Sequence, residues 1–297
     1  MTFLSDLQFD GGYVVAKPSG TRIPLTRSAL MDAARAAAFV AEVQALCATR
    51  IARGVRPTAK IAFYPQRPNS YYAIWPVCRL ANVQIVDDPL DADLIFQFQD
   101  RPLVDAVSPA ISLGRTVLNG ACRDIRKSRV ADVFEKVFGY SLSVDPTTYR
   151  GLAVQKSEGN GVHDGEVIAC PIEAAEPGKV YQKLIQNSVD GRDYVDIRTP
   201  VVGGRIPFVY LKMRAEADRF SNANRRVVMR EAQDVLTEDE IQRIQIFSHE
   251  MGLDFGGLDV LRHHEDGRIY IVDVNKTDMG PPTALPGGEK MCAMRRL

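Results

Sequence analysis

The stretch that most constrains the fold lies near the C-terminus, at residues 255–282. Its apolar residues on both sides of a polar turn at 263–267 predict a β-hairpin. Asp273 and Asn275 lie two residues apart on the second predicted strand, so both side chains point to one face. Folding back across the turn brings Asp259 beside them. Two carboxylates and an amide on one sheet face favour a hard cation such as Mg²⁺, whereas the alternative is an ordinary strand-end turn.

Length and composition are those of an ordinary globular protein. The chain has 297 residues, 45% of them hydrophobic and 25% charged, enough for one large domain or two to three small ones. Lysine plus arginine equals aspartate plus glutamate at 37 each, so no net charge favours nucleic acid as a partner. We expect no secretory signal and no membrane span. Five scattered cysteines favour reduced thiols in a cytoplasm.

The N-terminal part predicts a helix followed by an open sheet. Residues 1–27 are expected to be irregular or weakly stranded. Thr26 or Ser28 is positioned to cap a long, alanine-rich helix at about 29–53, for which we expect a packing or homodimer-forming role. Short apolar runs alternate with helical or polar segments over 59–100, a pattern typical of a small open α/β sheet.

A glycine-rich loop at 157–165 follows the strand predicted for 151–156. Gly159 and Gly161 allow backbone amides to approach phosphate oxygens closely. Lys156, at the end of the strand, is placed to put its ammonium on the same phosphates. An ordinary β-hairpin is the alternative reading of this loop.

A basic region follows the strand predicted for 179–186, whose polar positions are Gln182 and Lys183. Residues 183–230 contain ten basic against five acidic side chains, a local excess in a neutral chain. A cleft lined by one sign of charge attracts anions, although solvated charges on an amphipathic strand are the alternative. The basic region includes Arg198, Lys212 and Arg214.

Two segments flank the hairpin. Thr237 caps a helix predicted for 238–252, with Glu240 at capping-box spacing. The tail after Pro282 is rich in proline and glycine, and the pattern predicts a loop there.

The order of these motifs resembles the ATP-grasp superfamily over about residues 117–282. Family members usually carry glutamate where this chain has Asp273. The resemblance implies an α/β (α+β) fold of three parts. These are an N-terminal open α/β domain at 1–116, a small middle lid subdomain at 117–180 and a C-terminal antiparallel-sheet subdomain at 181–297.

The resemblance also implies where a nucleotide binds. The phosphates of ATP would contact Lys156 and the glycine loop, and adenine would lie along the strand that contains Gln182. Backbone groups near Lys183 and Leu184 would hydrogen-bond the base edge. Mg²⁺, or Mn²⁺ in its place, would be held by Asp259, Asp273 and Asn275. The phosphates or the substrate would also contact Arg198, Lys212 and Arg214.

The implied activity is that of an ATP- and Mg-dependent ligase. A carboxylate of a small molecule or peptide would attack the γ-phosphate, and an amine or other nucleophile would then displace phosphate from the acyl phosphate. Two alternatives stay open. One is a kinase that stops after phosphoryl transfer to a hydroxyl of a small or sugar-like molecule, and the other is a nucleotide-sensing module without turnover.

Overall fold

The computed structural model describes residues 7–16, 21–112, 114–158, 164–188, 193–216 and 224–297. The chain divides into two compact units. The first comprises Met1–Asp100, Asp105–Gly120 and Thr277–Leu297, and the second comprises Arg101–Val104 and Ala121–Lys276. Residues 277–297, which follow the hairpin in sequence, therefore group with the first unit. The finer division into three subdomains stays a prediction.

The first unit begins with a small antiparallel sheet and a helix. Strands β1 (Leu7–Asp10), β2 (Tyr13–Ala16) and β3 (Thr21–Pro24) pair in sequence order, in the region predicted to be irregular or weakly stranded. Helix α1 (Arg27–Ala52) follows. Of the two predicted caps, Thr26 is the one used, because its side chain accepts a hydrogen bond from the amide of Ala29 at 3.2 Å.

The predicted open α/β sheet is confirmed in the same unit. Its elements are β4 (Ala59–Pro65), α2 (Ile74–Leu80), β5 (Val83–Val86), β6 (Leu94–Phe98), α3 (Pro109–Ser112) and β7 (Val117–Leu118). The strands are parallel, in the order β5-β4-β6-β7. The apolar centres of β4 and β6 are buried, which is why both read as continuous hydrophobic runs.

The prediction of a loop in the C-terminal tail is wrong. Residues Gly287–Arg296 form helix α6, which begins after Pro286. Proline and glycine are tolerated at the very start of a helix, where the first amides have no intrahelical acceptor. The following EKMCAMRR segment consists mostly of good helix formers. The breakers therefore mark the start of the helix rather than its absence.

The second unit holds two antiparallel sheets. Its helices and strands are α4 (Lys127–Phe138), β8 (Gly151–Ser157), β9 (Glu166–Cys170), β10 (Lys179–Lys183), β11 (Asp193–Val202), β12 (Val209–Ala215), β13 (Arg226–Arg230), α5 (Glu238–Glu250), β14 (Phe255–Arg262) and β15 (Ile269–Asn275). One sheet has the order β10-β8-β9 and the other β13-β12-β11-β14-β15. The predicted hairpin is the β14–β15 pair at the edge of the larger sheet.

The core of this unit lies between the larger sheet and helices α4 and α5. Phe134 of α4 and Phe247 of α5 are fully buried together with Leu258 and Ile271 of the hairpin. The capping box predicted at the start of α5 is present: Thr237 accepts from the amide of Glu240, whose side chain accepts from the amide of Thr237. This apolar layer fixes the hairpin strands on which the polar residues lie.

Within the described residues, no helix combines the length and the apolar content that a membrane span requires. All five cysteines are free thiols.

Two glycines that follow helices provide a test of the packing. Gly139 and Gly252 both have positive φ, at 78° and 66°, but an added Cβ meets nothing at Gly139 and lies 2.6 Å from Ala121 at Gly252. Gly139→Ala is expected to destabilise by about 1 kcal/mol from backbone strain. Gly252→Ala should destabilise the protein by the same backbone strain and by roughly 1–3 kcal/mol more, because the added methyl group overlaps Ala121. Urea denaturation measures both, and equal losses would contradict the packing described for Gly252.

Candidate functional site

One face of the larger sheet carries the predicted catalytic and metal-binding residues. Asp196 and Arg198 of β11 lie two residues apart and so share a face. Arg198 is opposite Asp259 of β14, and Asp259 is opposite Asp273 of β15. Lys212 of β12 is opposite Asp196. Directly opposed residues of antiparallel strands point to the same side, so these five side chains lie on one face of the sheet, which we call the charged face.

A β-bulge in β15 places Asp273 on the charged face. Asp259 pairs with Asp273, whereas the next residue, Val260, pairs with Ile271, so Val272 is an extra residue. Val260 and Ile271 are fully buried in the core. Strict alternation would put Asp273 on the same side as Ile271. The bulge therefore separates the apolar half of β15 from its polar end.

Asp259 is neutralised by a buried arginine. Arg198 is only 6% exposed, and its Nη1 donates to Asp259 Oδ1 at 2.9 Å. Burial acts to raise the pKa of Asp259, but the positive charges of Arg198, Lys212 and Arg214 outweigh it and hold the pKa well below its usual range. Arg198, predicted to contact the transferred phosphate, therefore also holds a predicted metal ligand.

Asp273 lies opposite Asp259, and one of its carboxylate oxygens has no hydrogen-bond donor among the described residues. Its Oδ1 is buried and has no hydrogen-bond partner within the described part of the chain. Burial raises the pKa of Asp273 and the neighbouring Asp259 adds to that effect, while Lys127 and Lys156 oppose it. A buried carboxylate oxygen without a partner is costly. A bound cation would satisfy that oxygen and reduce the repulsion between the two carboxylates.

Two lysines bring positive charge towards Asp273. Lys156, near the end of β8, donates through Nζ to the backbone carbonyl of Val272 in the bulge at 3.3 Å. Burial lowers the pKa of Lys156 to about 8, with Asp273 opposing the shift and Lys127 adding to it. Lys127 is the first residue of α4 and is 8% exposed. This burial excludes the role of an ordinary solvent-exposed charge for Lys127.

Arg214 is held in place by Asp196 and Asn224, and Asn187 in turn orients Asp196. Its Nη1 forms an ion pair with Asp196 Oδ2, and its Nε donates to Asn224 Oδ1 at 3.2 Å. Asn187 Nδ2 donates to the other oxygen of Asp196 at 3.0 Å. The available signal was that Asp196 lies two residues before Arg198 on a strand and therefore shares its face.

The donor set at the hairpin fits a magnesium ion. Asn275 shares a face with Asp273 by the two-residue period, as predicted, and lies opposite Gly257. Mg²⁺ commonly takes one or two carboxylates and completes its shell with water and phosphate oxygens. No group of three or more His, Cys, Asp or Glu residues is placed to hold a metal in the described ranges. The strand register places Asp259 opposite Asp273, and the role of Asp259, Asp273 and Asn275 as ligands of a cation stays a prediction.

The predicted adenine strand, β10, is shorter than expected and ends at Lys183. The amides of Lys183 and Leu184 already donate to the carbonyls of Leu142 and Leu152, at 2.9 and 3.4 Å. These two amides are therefore already hydrogen-bonded within the protein. The predicted backbone contact with the base would have to use other backbone groups near Lys183 and Leu184. Gln182 is 3% exposed, and its Nε2 is buried without a hydrogen-bond partner in the described residues. The side-chain amide of Gln182 is therefore a donor that is still unused in the described structure.

The predicted phosphate loop is described only at its two ends, because Gly159 and Gly161 lie outside the described residues. Ser157 donates to Asp164 through both its amide and its hydroxyl. Lys179 Nζ donates to Asp164 Oδ2 at 2.9 Å. Although burial acts in the opposite sense, Ser157 and Lys179 hold the pKa of Asp164 below its usual range. The two ends of the loop are thus tied together.

Solved structures with the same architecture are ATP-grasp ligases. PsnB complexed with minimal precursor, Mg and ADP matches with a TM-score of 0.52 and 14% identity over 80% of this chain and 98% of that chain. PsnB complexed with a phosphomimetic variant of the precursor, Mg and ADP matches with a TM-score of 0.51 and 13% identity over the same shares. A PsnB complex with precursor peptide PsnA2 and AMPPNP matches with a TM-score of 0.50 and 12% identity over 80% of this chain and 97% of that chain.

This chain has the ATP-grasp fold. The predicted fold class is therefore confirmed, including the antiparallel sheet near the C-terminus. No protein-family model matches the sequence, and no curated protein matches it.

Two matched substitutions test the charges of Asp259 and Asp273. Asp273→Asn should stabilise the protein without metal and nucleotide, because it removes a charge whose oxygen has no partner and that repels Asp259. Asp259→Asn should destabilise it by about 1–3 kcal/mol, because buried Arg198 loses its ion-pair partner. Urea midpoints measured in chelator give both values. Equal destabilisation by the two variants would contradict the assigned asymmetry.

Lys156 makes the stability of the ligand-free protein depend on pH. Its pKa of about 8 lies below the ordinary lysine value. Between about pH 8 and the ordinary lysine pKa, the unfolded chain binds a proton that the folded protein has lost, so stability should rise with pH across this window. Lys156→Met should remove this component. Thermal unfolding of both proteins over the window checks it, and identical slopes would rule out the buried-lysine assignment.

Proposed function

We propose that the protein is an ATP- and Mg-dependent ligase. It activates a substrate carboxylate as an acyl phosphate, which an amine or other nucleophile then attacks, most directly to form a carbon–nitrogen bond. The observation that carries the proposal is the pair of opposed carboxylates on an ATP-grasp fold, of which Asp273 has an oxygen without a partner.

The PsnB complexes support the choice of nucleotide, metal and substrate class. Those proteins were solved with Mg and ADP, or with AMPPNP, together with precursor peptides. We extend this chemistry to the present chain and propose a small-molecule or peptide carboxylate as its substrate. We also keep the predicted subdomain division, in which ATP lies between 117–180 and 181–297.

In this proposal, the residues of the charged face and the lysines beside it bind different parts of ATP, magnesium and the substrate. Lys156 and Lys127 bind phosphate oxygens of ATP, and the amide of Gln182 contacts the base. Arg198 stabilises the negative charge of the transferred phosphate. Lys212 and Arg214 hold the acyl phosphate or the substrate carboxylate. Magnesium held by Asp259, Asp273 and Asn275 would neutralise phosphate charge.

Preorganisation of positive charge accounts for catalysis without a protein nucleophile. Arg214 is fixed by Asp196, which is itself hydrogen-bonded by Asn187. Arg198 is fixed by Asp259. Donors already aimed at developing negative charge need little rearrangement when the reaction occurs. Holding the two reactants in line then supplies much of the remaining barrier reduction.

Nucleotide binding should be visible as thermal stabilisation. Mg-ATP is expected to raise the melting temperature, because a ligand that binds only the native state stabilises it by mass action. Lys156→Ala should reduce this shift, whereas Lys60→Ala, which removes an exposed lysine of β4, should leave it unchanged. An unchanged shift in Lys156→Ala would remove the lysine from the site.

Turnover should depend on the charge and the length of residue 273. Asp273→Asn is expected to abolish turnover while the protein remains folded, because the amide supplies no negative charge to a cation. Asp273→Glu restores the residue that is usual in the superfamily, and it should retain part of the activity. Turnover by Asp273→Asn at the wild-type rate would contradict the proposed metal site.

The reaction type is decided by scoring ADP and free phosphate together in a screen of carboxylates with amines. A ligase releases both in equal amounts and forms a condensed product. ADP without free phosphate would instead indicate a kinase. Stabilisation by Mg-ATP without consumption in any substrate pool would indicate a nucleotide-sensing module.

A further inference from the structure

A cavity of about 380 Å³ lies in the first unit, between α1 and the segment that leads into α6. Its walls are mainly apolar, and Phe39 and Leu285 in them are only 7% and 2% exposed. The lining residues are few and come from two short stretches of sequence. They are Arg35, Ala38, Phe39 and Glu42 of α1, and Thr283–Gly287 with Lys290.

Lys290 is the unusual member of this lining. It is 4% exposed, and its ammonium has no hydrogen-bond or ion-pair partner among the described residues. Burial lowers its pKa, the charge of Arg35 lowers it further and Asp32 acts in the opposite sense. An ammonium that is partly desolvated and has no acceptor is less stable than one in water, and an anion in the cavity would offset that cost.

The start of α6 presents backbone amides at the same place, and Glu289 in its first turn brings a negative charge near them. The helix begins at Gly287, which lines the cavity, and Pro286 before it makes no side-chain hydrogen bond to the first turn. The first-turn amides of a helix point towards its N-terminal end and favour negative charge there. With 10 residues the helix is long enough for this effect. The helix start and Lys290 therefore favour the same kind of ligand.

We propose that this cavity binds a small organic monocarboxylate. The carboxylate contacts Lys290, Arg35 and the start of α6, and its apolar part packs on Phe39 and Leu285. Glu42 also lines the cavity, and its negative charge disfavours a ligand with further anionic groups. None of these residues belongs to the charged face, so the site does not depend on the ligase proposal.

Calorimetric titration of the full chain with hexanoate tests the site, with hexanamide as the uncharged probe of the same shape. Hexanoate should bind at least about tenfold more tightly than hexanamide, because a charge-assisted hydrogen bond is lost in the amide. Lys290→Met should weaken hexanoate binding by about tenfold or more, and Lys290→Arg should recover part of it. Glu42→Gln should strengthen binding by removing a repulsive charge.

The control is Lys60→Met, which removes an exposed lysine of the same unit and should bind hexanoate like the wild type. Each variant is first checked for native melting behaviour. If Lys290→Met fails this check, Arg35→Gln and Glu42→Gln, with opposite expected effects, decide the question. Equal binding of hexanoate and hexanamide, unchanged affinity in Lys290→Met, or no binding of hexanoate by the wild type would each overturn the proposal.

Discussion

The opposed carboxylates of Asp259 and Asp273 are the constraint on which the candidate site depends. Two negative charges on neighbouring strands repel each other strongly in a partly desolvated place. Arg198 balances one of them from the adjacent strand at 2.9 Å. The other keeps a buried oxygen without a hydrogen bond in the described structure. A bound cation would compensate both features, which is the role proposed for this site.

The rest of the sheet makes this unfavourable arrangement possible. The opposite side of β14 and β15 is a fully buried apolar layer, with Leu258, Val260 and Ile271 packed under α4 and α5. Burial of that layer stabilises the hairpin regardless of what lies on the charged face. The bulge at Val272 joins the two halves of β15, and its carbonyl also accepts the hydrogen bond of Lys156. A local irregularity thus links packing to the candidate chemistry.

Much of this arrangement was predictable, because it follows from short-range periodicity. The two-residue period correctly put Asp273 and Asn275 on one face, and the turn brought Asp259 opposite Asp273. The two-residue period alone would also place Ile271 on the face of Asp273, whereas Ile271 is buried on the other side of the sheet. The difference is caused by the β-bulge, which leaves no clear mark in the sequence. The burial of Lys127 also depends on tertiary packing, so its sequence neighbours could not reveal it. Helix α6 was missed because proline and glycine start helices as well as loops.

The most direct test of the central claim is Mn²⁺ uptake, followed by the electron paramagnetic resonance signal of the free ion, in the presence of AMPPNP. If a cation binds the unpaired oxygen of Asp273, the wild type should remove Mn²⁺ from solution and Asp273→Asn should not. Lys60→Ala should behave like the wild type. Equal Mn²⁺ uptake by wild type and Asp273→Asn would show that the cation binds elsewhere and would contradict the account.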